Sequence, residues 1–510
     1  MKVMTCGEAM MKLLSAYEVD TVFGMAGTMT LELYRGIAMA GVRHVQCRNE
    51  QGASLMADGY ARATGKPGVC TIIAGPGVTN AATGIAQAYC DSQPMLVLSG
   101  ACATRTQGKG WGAIHELADQ AAVTAGFTAS SHMVRYPEEL PELIARAYAV
   151  FRGSRPRPVH LSLPSDLLEG DADAALPAKE DFLPEPGSPG MSEEMLDRLK
   201  KAKKPLVIAG PALGNARGRA ALRGFEEATG VPSIVMESPR GVNDPSLGLL
   251  AEVLAAADVV VLAGKRKDFT LKFGAAFGKD CRVIETDGWI APDAGKGWAK
   301  SSWLDEVRAA IVFRPAQWKG LASNTAGPLH PVEVGREVQK LLAAKDAVLV
   351  VDGGEFGQWA QATVTAPRRI INGVAGSIGS ALPFAAAAKL ALPGSTVVVM
   401  LGDGTFGFHA SEIDTAVRFD LPYVAVVGND SCWNAEYQIQ LRSYGAARAH
   451  GLDLLPTRYD RVAAAFGAHG EHVERPAELA PALERAAGAG RMACVNVMIE
   501  RLPAPTFRRG

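Results

Sequence analysis

The chain predicts an α/β fold of three doubly wound parallel-sheet domains. Two observations carry this. Apolar runs of strand length recur along the 510 residues, and helical patterns separate them. The runs are continuous in Val, Ile and Leu, as expected for strands buried on both faces. Strand–helix–strand alternation of that kind makes the strands parallel and puts helices on both sides.

The elements follow in order. Val69–Ala74 runs into a Gly/Pro turn and a small-residue helix from Asn80. Further strand-length runs are Met95–Ser99, Val159–Leu163, Leu206–Ala209 and Val259–Ala263, then Ala347–Val351, Val397–Leu401 and Tyr423–Val427. Leu168 to Gly190 is rich in Pro, Gly and acid without periodicity and reads as a linker. Periodicity lapses again around Arg314–Pro331. These cuts give domains 1–167, 190–325 and 331–510. The first and third share a plan, a Gly-rich turn after a strand and then an Ala-rich helix.

Composition excludes several classes. Lys+Arg (52) and Asp+Glu (53) cancel, so the basic footprint of a nucleic-acid binder is missing. No stretch approaches the ~18–20 apolar residues of a membrane span. Glu8 and Lys12 interrupt the N-terminal apolar residues, unlike a secretory signal. The eight cysteines form no C-x-x-C pair. Scattered thiols of this kind suit a reducing compartment, and the expected location is cytoplasmic.

The strongest local signal is VVVMLGDGTFGFHASEIDTAVRFDLPYVAVVGNDSCWN, residues 397–434. A buried strand meets Gly402-Asp403-Gly404, a helix follows, and a second strand ends at Asn429-Asp430. In a parallel sheet this puts Asp403 and Asp430 at the carboxyl ends of two strands, where ligands bind. Glycines and a helix N-terminus suit a diphosphate, and Mg²⁺ takes one or two carboxylates with phosphate oxygens.

G-D-G, 24 residues and then N-D resembles the thiamine diphosphate fingerprint. Three earlier segments resemble the same family. They are VDTVFGMAGTMTLELY (19–34), HVQCRNEQGASLMADGYARATGKPGV (44–69) and IIAGPGVTNAATGIAQAYCDSQPMLVLSG (72–100). VLVVDGGEFGQWA (348–360) and INGVAGSIGSALPFAAAAKLA (371–391) extend the likeness. The chain is thus similar, nearly throughout, to thiamine diphosphate-dependent 2-oxo acid decarboxylases and acetolactate synthase-like enzymes.

The resemblance implies pyrimidine-binding, central and diphosphate-binding domains in that order. It makes Glu50 the cofactor-activating glutamate, Asp403 and Asp430 the magnesium ligands, and the Cys432 carbonyl a third. Ile378 becomes the wedge between the cofactor rings and the Gly376 carbonyl an acceptor for its amino group. Asn80, Gly354, Glu355, Gly402, Gly404, Thr405 and Trp433 complete the cofactor-binding set. Thr28, His115 and Glu436 are expected to face substrate, a His and a Glu there suiting proton delivery. The implied reaction is decarboxylation of a 2-oxo acid through an acyl-carbanion equivalent, with carboligation to a second carbonyl as a further outcome. The alternatives are an acetolactate synthase-like carboligase and a catalytically silent regulatory homologue.

GKGWGAIHELADQAAVTAGFTASSHMV (108–134) also looks like decarboxylases of the guanidino 2-oxo acid derived from arginine. AGKRKDFTLKFG (263–274) replaces the stretch that acetolactate synthases set against FAD, so FAD is not expected. The family places its sites between subunits, which implies a homodimer or a dimer of dimers.

Overall fold

The computed structural model describes residues 4–153, 155–172, 191–287, 295–299 and 301–507. Residues 173–190 of the expected linker lie outside them. The chain forms two compact units, Met1–Pro189 and Gly190–Gly510. The first holds one parallel sheet and the second holds two.

In the first unit the strands are β1 (Thr21–Gly24), β2 (Arg43–Gln46), β3 (Gly68–Ile72), β4 (Met95–Ala101), β5 (Ser130–Met133) and β6 (Val159–Pro164). They lie in the order β2-β1-β3-β4-β6-β5, every pair parallel. The central sheet has β7 (Pro205–Ala209), β8 (Ser233–Val235), β9 (Val259–Ala263) and β10 (Arg282–Thr286). Its order is β10-β9-β7-β8. The last sheet has β11 (Val348–Val351), β12 (Arg368–Ile371), β13 (Val397–Gly402), β14 (Val424–Asn429), β15 (His469–Val473) and β16 (Ala493–Met498). Its order, β12-β11-β13-β14-β16-β15, repeats that of the first sheet strand for strand. In both, the chain leaves the second strand outward and returns to the far side of the first. The gap between β1 and β3, and likewise between β11 and β13, is therefore a topological switch point, where loops diverge and leave a crevice.

All eight apolar runs read from the sequence are strands of the three sheets. The strands that the pattern missed are short, lie at edges, or carry polar residues. β5 and β15 are half-buried edge strands. β16 is interrupted by Asn496, whose buried amide is used in hydrogen bonds.

The seam around Arg314–Pro331 does not loosen the second unit. Arg314 donates to the carbonyls of Ala362 (2.6 Å) and Ser246 (3.2 Å). Arg369 of β12, itself largely shielded, pairs with the buried Glu237 (3.2 Å) and Asp244 (3.3 Å) from the central block. Charges taken out of water need partners, and these pairs tie the two sheets.

Within the first unit, helices Glu50–Thr64 and Pro76–Cys90 pack closely. The Ser54 hydroxyl donates to the Ala81 carbonyl at 3.1 Å. Near their far ends Arg62 bridges Asp58 (2.9 Å) and Asp91 (2.6 Å), both carboxylates fully buried. Removing the guanidinium leaves two buried carboxylates without their cation. Arg62→Met should therefore cost about 3–5 kcal/mol in denaturant unfolding; a loss below about 1 kcal/mol would contradict this reading.

Candidate active site

Glu50 opens its helix, with Asn49 as the N-cap accepting from the Gln51 amide (2.8 Å). The helix start favours a negative charge. Its side chain is buried, and the Asn80 amide donates to Oε2 at 3.0 Å. A Cβ on Gly77 would lie 3.2 Å from Oε1 and 2.6 Å from the Ile73 side chain. Glycine there lets the second helix approach the carboxylate. Sequence reasoning found Glu50 and Asn80 but not Gly77 or Ile73, which depend on helix packing.

Thr28 lies in a single 3-10 turn after β1 and is exposed. His115 sits in a left-handed backbone conformation (φ 61°), with its carbonyl packed on Gly75. Its imidazole Nδ1 is buried without a hydrogen-bond partner. It lines a cavity of 220 Å³ with Gln107, Asp119 and Gln120. Gln120 accepts from the Gly75 amide at 2.8 Å. The turn 75–77 thus has the His115 loop on one side and Glu50 on the other.

In the second unit, register Gly402↔Gly428 brings Asp403 and Asp430 to the carboxyl ends of adjacent strands. Asp403 Oδ1 accepts from the Gly404 amide (3.0 Å). Asp403 Oδ2 and Asp430 Oδ1 are buried with no hydrogen-bond partner. Burial raises Asp403 to about 6. Burial first, and then the charge of Asp403, raises Asp430 to about 7. Two adjacent carboxylates, each with a buried and orphaned oxygen, are what a hard divalent cation requires and what a merely structural pair would avoid. Cys432, whose carbonyl is the expected third donor, is held beside them. Trp433 N donates to Leu452 O and Leu454 N to Ser431 O, both at 2.8 Å. Ser431 itself is left-handed (φ 54°), a conformation costing roughly 1–2 kcal/mol outside glycine. Asn429 steadies it, its Oδ1 accepting from the Ser431 amide (3.2 Å) and hydroxyl (3.3 Å).

Of the other expected residues, Thr405, Gly404 and Trp433 lie on the turns that carry this pair. Thr405 donates to the Gly402 carbonyl at 3.0 Å. A Cβ on Gly404 would come within 2.6 Å of the Trp433 ring, so the indole lies flush on this turn. Glu436 is exposed in the first turn of helix Asn434–Tyr444. Gly354 and Glu355 start the helix after β11. Glu355 is buried and accepts from Gln358 Nε2 (2.8 Å) and the Ala504 amide (3.1 Å); burial raises its pKa.

The loop carrying Gly376 and Ile378 is held by three side chains that sequence reasoning overlooked. Asp352, fully buried at the end of β11, accepts from the amides of Gly353 (2.7 Å), Gly379 and Ala381 (both 3.1 Å). Burial raises it to about 6, against the pull of those donors. Asn372 Nδ2 donates to the Ser377 carbonyl (3.1 Å). The His409 Nδ1 hydrogen bond to the Gly379 carbonyl spans 2.7 Å. An acid directly after a buried strand and before two glycines was the one available signal for Asp352.

Comparison with known proteins decides the family. Residues 4–123 match the thiamine pyrophosphate enzyme N-terminal TPP binding domain, and 352–497 match its C-terminal TPP binding domain. A probable 2-ketoarginine decarboxylase of Pseudomonas aeruginosa is 37% identical over 96% of this chain and 92% of its own length. The chain belongs to the thiamine pyrophosphate enzyme family. An acetolactate synthase large subunit of Mycobacterium tuberculosis is 31% identical over 98% of this chain and 96% of its own. The human 2-hydroxyacyl-CoA lyase 2 is 28% identical over 97% and 90%. Thiamine diphosphate is the family's cofactor and Mg²⁺ its usual metal, and the orphaned oxygens of Asp403 and Asp430 fit that metal.

Mg²⁺ competes with protons at both carboxylates, so its apparent affinity should rise with pH between about 6 and 7. Both groups sit above their ordinary 3.8 and take up protons on folding. The metal-free protein should therefore lose stability as pH rises through about 4 to 7, and Mg²⁺ should restore it. Asp430→Asn should bind Mg²⁺ more weakly and flatten both profiles. Thermal unfolding against pH, with and without Mg²⁺, checks this; identical profiles for wild type and variant would detach Asp430 from the metal.

Proposed function

We propose that the protein decarboxylates a 2-oxo acid, the guanidino acid derived from arginine being the first substrate to test, and that carboligation to a second carbonyl is open to it. The observation that carries the reading is the pair of orphaned carboxylate oxygens at the ends of β13 and β14. The 37% identical relative named for 2-ketoarginine supports the substrate. The acetolactate synthase relative supports the carboligase alternative. No flavin is part of this reading. No helix among the described residues is long and apolar enough to cross a membrane. With all eight cysteines free, we read the location as cytoplasmic.

Thiamine diphosphate, when bound, supplies the electron sink for a bond broken beside a carbonyl, which no side chain can supply. The chain's residues then have separable tasks. Asp403, Asp430 and the Cys432 carbonyl hold Mg²⁺, with Gly402, Gly404 and Thr405 lining the diphosphate turn. Ile378, Gly376, Gly354, Glu355 and Trp433 shape the rest of the cofactor's bed. Glu50, oriented through Asn80, would be the acid–base group that activates the cofactor. His115, Glu436 and Thr28 handle substrate and its protons.

Purified protein with thiamine diphosphate and Mg²⁺ should release CO₂ from the guanidino 2-oxo acid faster than from pyruvate, and EDTA should abolish release. Failure with every 2-oxo acid in a panel would overturn the reading. Glu50→Gln keeps the shape without the exchangeable proton, so it should bind cofactor and lose ~10²–10⁴-fold in rate. We read the assembly as a homodimer or a dimer of dimers, with Glu50 of one chain and Asp403 of another serving one site. Mixing inactive Glu50→Ala and Asp403→Ala proteins should then restore activity; no recovery after demonstrated subunit exchange would exclude the shared site.

A further inference from the structure

The described chain continues past the matched C-terminal domain as residues 498–507, and this segment is fastened to the parts of the second unit that carry site residues. Asn434 Nδ2 donates to the Leu502 carbonyl (2.9 Å) and Trp359 Nε1 to the Pro503 carbonyl (3.0 Å). The Ala504 amide donates to Glu355 (3.1 Å). The Phe507 ring lies 5.2 Å from that of Trp318. These contacts reach the helix that starts with Gly354 and the helix that follows Trp433.

Arg501 goes further, to the metal-binding turn. Its Nη2 donates to the carbonyls of Asp430 (3.2 Å) and Ser431 (3.3 Å). Its guanidinium lies over the Tyr437 ring at 5.3 Å and pairs with Asp453 at 3.2 Å. Two consecutive carbonyls facing one donor require a sharply turned backbone, which is what left-handed Ser431 provides. That turn sets where the Asp430 carboxylate and the Cys432 carbonyl point. We propose that Arg501 is a positioning residue for Mg²⁺: it locks the turn 430–432 with its donors aimed at the cation, and its charge offsets the repulsion between Asp403 and Asp430. The inference rests on the metal site proposed above.

The rigid fork matters, because a planar guanidinium can serve two carbonyls while resting on an aromatic face, and a lysine cannot do both. Outer partners that orient ligands typically change metal affinity ~10–100-fold. The test uses the full chain with saturating thiamine diphosphate and Mn²⁺ as the probe, free Mn²⁺ being read by its paramagnetic resonance. Arg501→Met should weaken Mn²⁺ binding ~10–100-fold, and Arg501→Lys should recover part of the loss. Asp453→Asn, which touches only the exposed partner, should leave the affinity unchanged. The metal-free unfolding midpoints of all three should stay within about 2 °C of wild type. Mn²⁺ affinity within twofold of wild type in Arg501→Met would overturn the proposal. So would a weakening accompanied by a large fall in the metal-free midpoint, which would make Arg501 a general brace. Wild type that binds no Mn²⁺ would instead overturn the metal site itself.

Discussion

Asp403 is buried and Asp430 half-buried one strand apart; loss of water penalises the charge of both, and the charge of Asp403 further penalises that of Asp430. A fold keeps such a pair only where something outside the chain completes it. Much of the surrounding detail follows from that constraint. The Gly404 amide holds one oxygen of Asp403, Asn429 and Arg501 hold the turn that carries Asp430, and one oxygen of each acid remains without a partner. Burial raises both acids above the usual carboxylate range, the charge of Asp403 adding to the rise at Asp430, so without a cation the pair holds protons more readily.

The first sheet solves a related problem in the same topology. Its strand order is that of the last sheet, and Glu50 also lies beside a Gly-rich turn leaving the switch point. Glu50, however, is a single carboxyl at a helix start, with a neutral amide as its partner. One plan thus houses an acid proposed to trade a proton and, elsewhere, acids proposed to hold a metal. The difference lies in how many carboxylates share the site and what faces them.

Rigidity at both places comes from buried polar side chains that take no part in the chemistry. Asp352, Asn372 and His409 fix the loop of Gly376 and Ile378, while Arg62 and Ser54 fix the helices that bring Asn80 to Glu50. Each makes a hydrogen bond in a dry interior, where a missing partner costs more than the bond itself contributes. Such residues hold a loop or a helix in one position, which a mobile catalytic group needs from its surroundings.

The fold class was legible in the chain because parallel strands buried on both faces must be apolar throughout, and eight such runs are eight strands of the sheets. Asp403 and Asp430 were legible as candidates for a second reason: a metal and a diphosphate need acids and glycines at strand ends, and those positions are local in sequence. Glu50 was picked out instead by the resemblance of its segment to a family. Short edge strands such as β5 and β15 were not, since half-exposed strands lack a distinctive pattern. Nor were Asp352, His409 or Arg501. Their roles depend on which backbone groups they meet: Gly379 lies 27 residues from Asp352, and Asp430 lies 71 from Arg501. The sequence by itself determined the class and, through its resemblance to a family, the cofactor, and it nominated the acids proposed to do the chemistry. The tertiary structure alone decided what holds those acids in place, because a buried hydrogen bond is specified by the distance between two atoms in space and leaves no spacing in the chain to read.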